Sequence, residues 1–479
     1  MDTLFRDVTY AVRGLRKNIG FALVATITIA LGIGACTAIF SVVNAVLLRP
    51  LPYADAQRLV MIWGELRARN VQDWPFSPPD LRDLELQSTE AFDGIAGIIP
   101  AGRVALAAPG ADPEQIRVGG ATTNLFGVLG ARVLIGRDFV AADGTPVPQL
   151  PNQAAAAGPP VSAILSHAFW LRRFGGDQSV IGTDVELGNG RARIVGVLAP
   201  GFELLMPPRV RVESAPDMWT AARVDFDTAN RNNVLFRLIG RLNPGVSTRQ
   251  AQVQVDRVAA DLRQHFSIKQ TAGLYFHVVP MFDDLVSDVR QTIVSLMGAV
   301  AFVLLIACAN VANLLIVRAS ARSRELAVRA AIGASRGQLL RQMLAESLVI
   351  AAGGTALGLV LARAGVQVLL VLGPRDLPRL DAVAMDPMVL AFAVVAGIAT
   401  AMVCGIIPAL RASRTDVMEV LRSVGGRPGG LRGGRRLRGG VVVTEVALSF
   451  ILLVGAGLML RSVLALSQVD PGYDPNHVL

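Results

Sequence analysis

Lysine and histidine are the residue types most able to carry enzymatic chemistry, and their spacing in this sequence matches none of the common reactions. A phosphate-binding P-loop needs a lysine directly after its glycines, but Lys17 and Lys269, the two lysines, follow Arg16 and Ile268. The four histidines form no His-Glu-x-x-His zinc motif, and no Gly-x-Ser-x-Gly elbow occurs. We therefore predict no catalytic residues and no metal ligands, and a protein that is not itself an enzyme.

The three cysteines indicate burial. Cys36, Cys308 and Cys404 each lie in an apolar run, where cysteine packs as a small hydrophobic side chain, which excludes an external disulfide framework. The stretch Ile-Gly-Ala-Cys at 33–36 loosely resembles a lipoprotein-processing site. That alternative is disfavoured because the apolar run continues for twelve residues beyond Cys36.

Long apolar runs are the dominant feature of the chain. It has 479 residues, of which 52% are hydrophobic and 17% charged, an unusual balance for a soluble protein of this size. A helix needs about 20 apolar residues to cross a bilayer, and five runs reach that length. The predicted transmembrane segments are 21–48, 291–317, 348–372, 387–410 and 441–460.

Four polar residues inside these runs are candidate contacts within the membrane. Asn310 and Asn313 share a face of the second run and are spaced to hydrogen-bond across helices. Arg363 is long enough to reach outward from the third run, and Glu445 lies near the start of the fifth. For both charges, a functional contact inside the bundle is the alternative. The Gly-x-x-x-Gly at 354–358 permits close helix approach, with or without motion.

Charged residues between the runs predict the orientation. Arginine is concentrated in three segments, while the segments that alternate with them lean acidic or are close to neutral. The positive-inside rule places the basic ones in the cytoplasm, and they account for the formal net charge of +9, leaving no basic surface for nucleic acid. The predicted cytoplasmic segments are 1–20, an amphipathic helix at the interface, 318–347 and 411–440; the predicted periplasmic ones are 49–290, 373–386 and 461–479.

Residues 49–290 have the pattern of an α+β domain. Short β-branched and aromatic runs predict strands at 192–199, 233–242 and 274–279. Ser247 and Gln250 form a capping box, which predicts a helix after them. A Pro- and Ala-rich stretch at 142–160 predicts a mobile insertion between lobes. Outside this domain, the Gly- and Arg-rich stretch at 425–440 predicts a flexible linker.

The arginine-rich segment 322–348 separates the second and third apolar runs. Its helical spacing breaks near Gly333, and Ser335 with Gln338 forms another capping box. We expect two helices with a sharp corner, the second of which continues into the third transmembrane run. The alternative is that the arginines only enforce topology.

This segment resembles the cytoplasmic loop of MacB-like and FtsX-like ABC permeases, which in that family docks on a separate ATPase. The resemblance also covers a second cytoplasmic segment after the fourth run, and 165–182, 194–202 and 236–252 resemble the family's periplasmic core. The stretches 47–65 and 469–479 resemble the acidobacterial-type duplicated orphan permeases. The matching loop residues are Arg324, Glu325, Leu326, Ala327, Arg329, Ala331, Gly333, Ala334 and Ser335, and those of the second segment include Arg411, Arg414, Asp416 and Glu419.

The resemblance implies a multi-pass α-helical membrane protein with a large α+β periplasmic, MacB-like core domain between its first and second transmembrane helices. It implies a permease of the bacterial inner membrane in which ATP and Mg are bound by a partner ATPase and no cofactor by this chain. Mechanotransmission would move the periplasmic domain and export or extract amphipathic cargo such as a lipid, lipoprotein, peptide or drug. The implied partners are that ATPase, a second permease copy or half, a periplasmic adaptor and membrane lipid.

Two other functions stay open. The periplasmic domain would in one case regulate a partner such as a cell-wall hydrolase, and in the other the chain would be a non-functional remnant of a duplicated permease. The duplicated members carry two outer domains and eight spans, whereas this sequence stops as the second domain should begin. We expect either a truncated or split member, or a natural short form that needs a partner for its second half.

Overall fold

The computed structural model describes residues 2–467 except 109–110, 148–157, 189, 211, 213–215, 322–335, 373–378 and 413–431. The backbone divides into two units. One is formed by Arg49–Val289 and holds the sheet; the other holds the long apolar helices. The α-helices, α1 to α11, are Asp2–Arg16, Ile19–Val43, Pro78–Gln87, Leu125–Leu129, His167–Phe174, Thr248–His265, Ser267–Ala272, Met281–Ala321, Arg336–Leu372, Pro387–Ala412 and Arg432–Ser467.

One mixed sheet runs through the unit of residues 49–289. Its strand order is β11-β1-β10-β3-β4-β9-β6-β8-β5, with β2 paired to β1 and β7 bridging β3 and β8. Most neighbours are antiparallel, but β4 with β9 and β6 with β8 are parallel. The strands, β1 to β11, are Leu59–Leu66, Val71–Trp74, Phe92–Ala108, Ala111–Ala121, Val133–Gly136, Val161–Leu165, Asp184–Leu187, Gly190–Leu198, Met218–Ala221, Arg237–Leu242 and Leu274–Pro280.

Helices cover this sheet and close two hydrophobic cores. The predicted helix is α6, which begins after the Ser247 cap and whose capping box with Gln250 is formed. Its apolar stripe, with Val255 and Leu262, is buried in the first core against β1, β10 and β11. The second core contains Phe169 of α5 and strands β6 and β8. The α+β prediction is confirmed, and the three predicted strands correspond to β8, β10 and β11.

A buried carboxylate holds the base of the predicted insertion at 142–160, most of which lies outside the described residues. Asp143 accepts hydrogen bonds from Arg137 Nη1 at 2.6 Å, Ser162 Oγ at 2.5 Å and the Val140 amide at 2.8 Å. Burial alone would raise the pKa of Asp143, but these hydrogen bonds outweigh it and lower the pKa to about 2. Ser162 follows the insertion and Asp143 opens it, so this cluster joins its two ends.

The apolar helices form the other unit. Among the described residues, four helical segments are long and apolar enough to cross a membrane: Ile19–Leu48, Met281–Arg318, Arg341–Val371 and Pro387–Ile406. The first ends in a π-helix, Asn44–Leu48. Their shared core includes Ile29, Ile33, Val311 and Cys404. All three cysteines are free and buried there, as the apolar runs predict.

The fifth predicted segment lies within α11, whose described apolar part is Glu445–Leu458. Its assignment as a membrane span stays a prediction. The flexible linker predicted for 425–440 is wrong over 432–440, where α11 is already helical. Each interior glycine costs a helix about 1 kcal/mol, but helix growth is cooperative once nucleated. The long apolar helix that follows extends back through Gly439 and Gly440.

Candidate functional site

The candidate site is the base of the arginine-rich loop between the second and third apolar helices. The predicted loop residues Arg324, Glu325, Arg329, Gly333, Ala334 and Ser335 lie outside the described residues. The structure describes the two arms that carry them: α8 ends at Ala321, and α9 begins at Arg336 and continues without a break to Leu372. The expectation that the second loop helix continues into the third apolar run is therefore confirmed from Arg336 onward.

An ion pair joins the two arms. Arg318, in the last turn of α8, places Nη2 2.9 Å from Glu346 Oε1 of α9. The side chains are 10% and 16% exposed, so both charges are mostly removed from water. Losing one partner of a fully buried pair costs about 3 to 5 kcal/mol, because it leaves an uncompensated charge. The incomplete burial here makes the cost smaller.

The same guanidinium also binds the N-terminal helix. Arg318 Nη2 donates to the carbonyl of Gly14 at 2.9 Å, and its Cζ lies 4.5 Å from the ring centroid of Phe21 at the start of α2. Gly14 is in the last turn of α1, where carbonyls lack helical partners and the helix dipole is negative. A cation is therefore favoured at this point, and Arg318 connects α1, α2, α8 and α9.

Helix α1 is held to the helical unit by its apolar face. Ala11 and Leu15 are 3% and 8% exposed, and Leu15 belongs to the shared core of the long helices. Arg13, Arg16 and Lys17 are exposed. The amphipathic helix predicted for 1–20 is present, whereas its location at a membrane interface stays a prediction.

At the opposite end of α2, a second polar contact joins this helix to α10. Asn44 Nδ2 donates to Asp386 Oδ2 at 2.6 Å, and Asp386 Oδ1 accepts the Val389 amide at 2.9 Å, which caps α10. Phe40 and Phe392 stack one turn further in, with ring centroids 3.9 Å apart. Asn44 is 8% exposed and Asp386 is half-buried, so the contact is partly shielded from water.

Between these two ends, α2 and α9 pack backbone to backbone. A Cβ added at Gly358 would lie 3.1 Å from the carbonyl oxygen of Ala30 and 3.2 Å from the amide nitrogen of Gly34. A Cβ added at Gly354 would lie 2.6 Å from Ile29 Cγ2. The close approach predicted from the Gly-x-x-x-Gly spacing is confirmed.

Comparison with known families agrees with this arrangement of domains. Residues 22–258 match the MacB-like periplasmic core domain, and residues 297–417 match the FtsX-like permease C-terminal domain. Together the two matches include every strand of the sheet except β11, and most of the two helices that flank the loop. The chain belongs to the MacB/FtsX-type ABC transporter permeases. It is a multi-pass membrane protein with a periplasmic domain, and the predicted fold class is confirmed.

Named relatives support the family at moderate identity. The chain is 30% identical over 251 residues to the macrolide export ATP-binding/permease protein MacB of Marinobacter nauticus, covering 52% of this chain and 36% of that protein. It is 28% identical over 143 residues to the ABC transporter permease YknZ of Bacillus subtilis, covering 29% and 33%. The chain thus spans about a third of the length of these curated relatives.

A solved structure that resembles the fold is the periplasmic region of MacB from Actinobacillus actinomycetemcomitans. It matches with a TM-score of 0.33 and 13% sequence identity, covering 50% of this chain and 93% of that one.

The other predicted site residues of the permease are spread over several helices. Asn310 and Asn313 are half-buried on α8, and their hydrogen bonding across helices stays a prediction. Arg363 is exposed on α9, and Glu445 is half-buried on α11. In the second cytoplasmic segment, Arg411 lies in the last turn of α10, while Arg414, Asp416 and Glu419 lie outside the described residues. None of these described residues belongs to the contacts of Arg318 given above.

The sequence indicates for Arg318 only the topology-setting role that it shares with the other arginines of 318–347. The available signal was an arginine at the end of one apolar run and a glutamate just before the next, which a helical hairpin brings together. The contact between Asn44 and Asp386 had no such signal, because its partners are separated by most of the chain.

Proposed function

We propose that this permease is the transmembrane subunit of an ABC transporter and that a separate cytoplasmic subunit hydrolyses ATP. In this proposal the loop 318–347 is cytoplasmic and docks on that ATPase. The observation that carries the proposal is the pair of matched domains, with the loop between two helices of the FtsX-like part. The arms of the loop are joined by Arg318 and Glu346 at 2.9 Å, so a load on the loop acts on both helices.

The mechanism follows from the stiffness of these elements. Helix α9 runs from Arg336 to Leu372 and packs on α2 through Gly354 and Gly358. A displacement of its cytoplasmic end is therefore passed to the first transmembrane helix. Because α2 precedes the periplasmic domain in the chain and α8 follows it, motion of either helix acts on that domain.

The proposed cargo is amphipathic. The predicted spans are apolar along their length, and one of the named relatives is a macrolide export protein. Predicted spans that are apolar along their length are poorly suited to line a hydrated pore. They are better suited to a mechanism in which the cargo is handled on the periplasmic side. The proposed partners also include a second permease copy and a periplasmic adaptor. The proposed location is the inner membrane, with the N-terminus in the cytoplasm.

The test is loss of coupling when the proposed docking residues are changed. The double variant Glu325→Gln with Arg329→Gln should lower the yield of co-purified ATPase, and its activity, at least about tenfold, which corresponds to about 1.4 kcal/mol of binding. The measurement is affinity purification in mild detergent, followed by identification of the nucleotide-binding protein and assay of ATP hydrolysis.

A matched control removes the same charges on the other side of the membrane. Glu186 and Arg257 are exposed in the periplasmic unit, so Glu186→Gln with Arg257→Gln should leave the complex intact. Equal ATPase yield from the loop variant and this control, with equal membrane insertion, would refute the docking assignment.

A further inference from the structure

Arg318 is the residue at which the two arms of the loop meet the N-terminal helix. One nitrogen, Nη2, lies 2.9 Å from Glu346 Oε1 and donates to the Gly14 carbonyl, also at 2.9 Å. The side chain of Arg318 is 10% exposed, whereas the basic side chains of α1, Arg13 and Arg16, are exposed. Setting the topology requires only that an arginine lies on one side of the membrane. It does not require the side chain to be buried or to bind two acceptors.

The positions of its partners define what the contact does. Arg318 precedes the end of α8 by three residues, and Glu346 follows the start of α9 by ten. The ion pair therefore fixes how far apart the arms stand where the loop leaves the helical core. The bond to Gly14 connects this spacing to α1, which is otherwise held by its buried Ala11 and Leu15.

We propose that Arg318 is a positioning residue: by binding Glu346 and the Gly14 carbonyl together, it sets the spacing of the loop arms and makes the N-terminal helix part of the coupling element. This inference rests on the proposed function, because it assigns the residue a role in transmitting motion from the ATPase. The two contacts of Arg318 can also be tested in this chain without the ATPase.

Three variants separate the two bonds. Arg318→Gln removes the ion pair and replaces the charged donor to Gly14. Glu346→Gln removes only the charge of the acceptor on α9. The exchange of Arg318→Glu with Glu346→Arg restores an ion pair between the arms, but a glutamate cannot donate to the Gly14 carbonyl. The matched control is Arg461→Gln, which removes an exposed arginine from α11.

Amide hydrogen exchange of the full chain in lipid nanodiscs is the measurement that distinguishes these variants. In Arg318→Gln, residues 11–16 and 337–346 should both exchange faster, on the order of tenfold, because local opening is no longer resisted by either bond. Glu346→Gln should speed exchange only in 337–346, and the charge exchange only in 11–16. Arg461→Gln should match the unmodified chain.

The second readout is ATP hydrolysis by the co-purified ATPase. Arg318→Gln should reduce it at least about tenfold while the amount of bound ATPase falls less, since the docking residues are unchanged. Unchanged exchange in Arg318→Gln, or a uniform rise over all helices in every variant, would overturn the proposal. Altered exchange with unchanged ATP hydrolysis would also overturn it, because Arg318 would then stabilise the helices without taking part in coupling.

Failure of the proposed function gives a different result. If the unmodified chain binds no ATPase, the transporter assignment fails, whereas the exchange pattern of the three variants still supports or refutes the joining of the arms.

Discussion

Helix packing at Gly354 can be tested with a neighbouring glycine as its control. A Cβ at Gly354 would lie 2.6 Å from Ile29 Cγ2 and 2.9 Å from Ile29 Cβ, well inside normal contact. The Cβ of Ile29 is fixed to the backbone of α2, so rotation cannot relieve the overlap. At Gly353 the nearest atom, Thr26 Cγ2, would lie at an ordinary 3.6 Å.

The two alanine variants gain the same helix propensity, about 1 kcal/mol over glycine, so their difference isolates the overlap. Overpacking of this kind costs about 1 to 3 kcal/mol. For a unit of this size, 1 kcal/mol corresponds to roughly 2 to 4 °C in melting temperature. We therefore expect Gly354→Ala to melt about 2 to 12 °C below Gly353→Ala.

The native cysteines provide the assay. Cys36, Cys308 and Cys404 are buried in the helical unit, so a thiol-reactive dye reports its opening on heating. Tryptophan fluorescence does not, because Trp63, Trp74, Trp170 and Trp219 all lie within Arg49–Val289. If Gly354→Ala melts together with Gly353→Ala or above it, the close contact between α2 and α9 does not exist in the protein.

Two further predictions concern carboxylates. The pKa of Asp143 is lowered to about 2, from about 3.9 when unfolded, so its contribution of up to about 2 kcal/mol is present above pH 4 and is lost as the pH falls through 2. The stability gap between the unmodified chain and Asp143→Asn, measured by tryptophan fluorescence in urea, should therefore shrink on acidification; a constant gap would contradict this. Asp386→Ala removes the acceptor of Asn44 and the cap of α10, and should cost about 1 to 3 kcal/mol in the thiol-dye assay. Asp386→Asn should retain much of this stability, because an amide oxygen still accepts; equal loss in both variants would exclude the hydrogen-bond explanation.

The helices and the outer domain were predictable because their signals are local. An apolar run such as that of α10 exceeds the length needed to cross a bilayer, whatever the rest of the chain does. The capping box of Ser247 and Gln250 places the start of α6 correctly, since both residues act within one turn. The Gly-x-x-x-Gly at 354–358 predicts a surface for close packing on α9, but it does not identify α2 as the helix that packs there.

Local signals also explain why the linker prediction for 425–440 is wrong over part of its length. The glycines between 425 and 440 predict a linker by composition, but the helix of the following apolar segment extends back to Arg432. Glycine lowers helix stability by a fixed small amount per residue, whereas extending an existing helix avoids the cost of nucleation. Composition alone does not weigh these two effects against each other.

An arginine count along the sequence does not identify Arg318 as the residue that pairs with Glu346. The positive-inside rule treats every arginine of 318–347 alike, because it depends on which side of the bilayer a charge occupies. Burial gives Arg318 a second role: a charge that leaves water must find acceptors, and Arg318 finds them in Glu346 of α9 and in the Gly14 carbonyl of α1. The same residue thus satisfies the topology rule and makes a specific contact, so an arginine count cannot separate the two roles. The packing of α8 against α9 and α1 creates the second role, so we expect changes at Glu346 to affect the loop arms and leave the orientation of the chain unchanged.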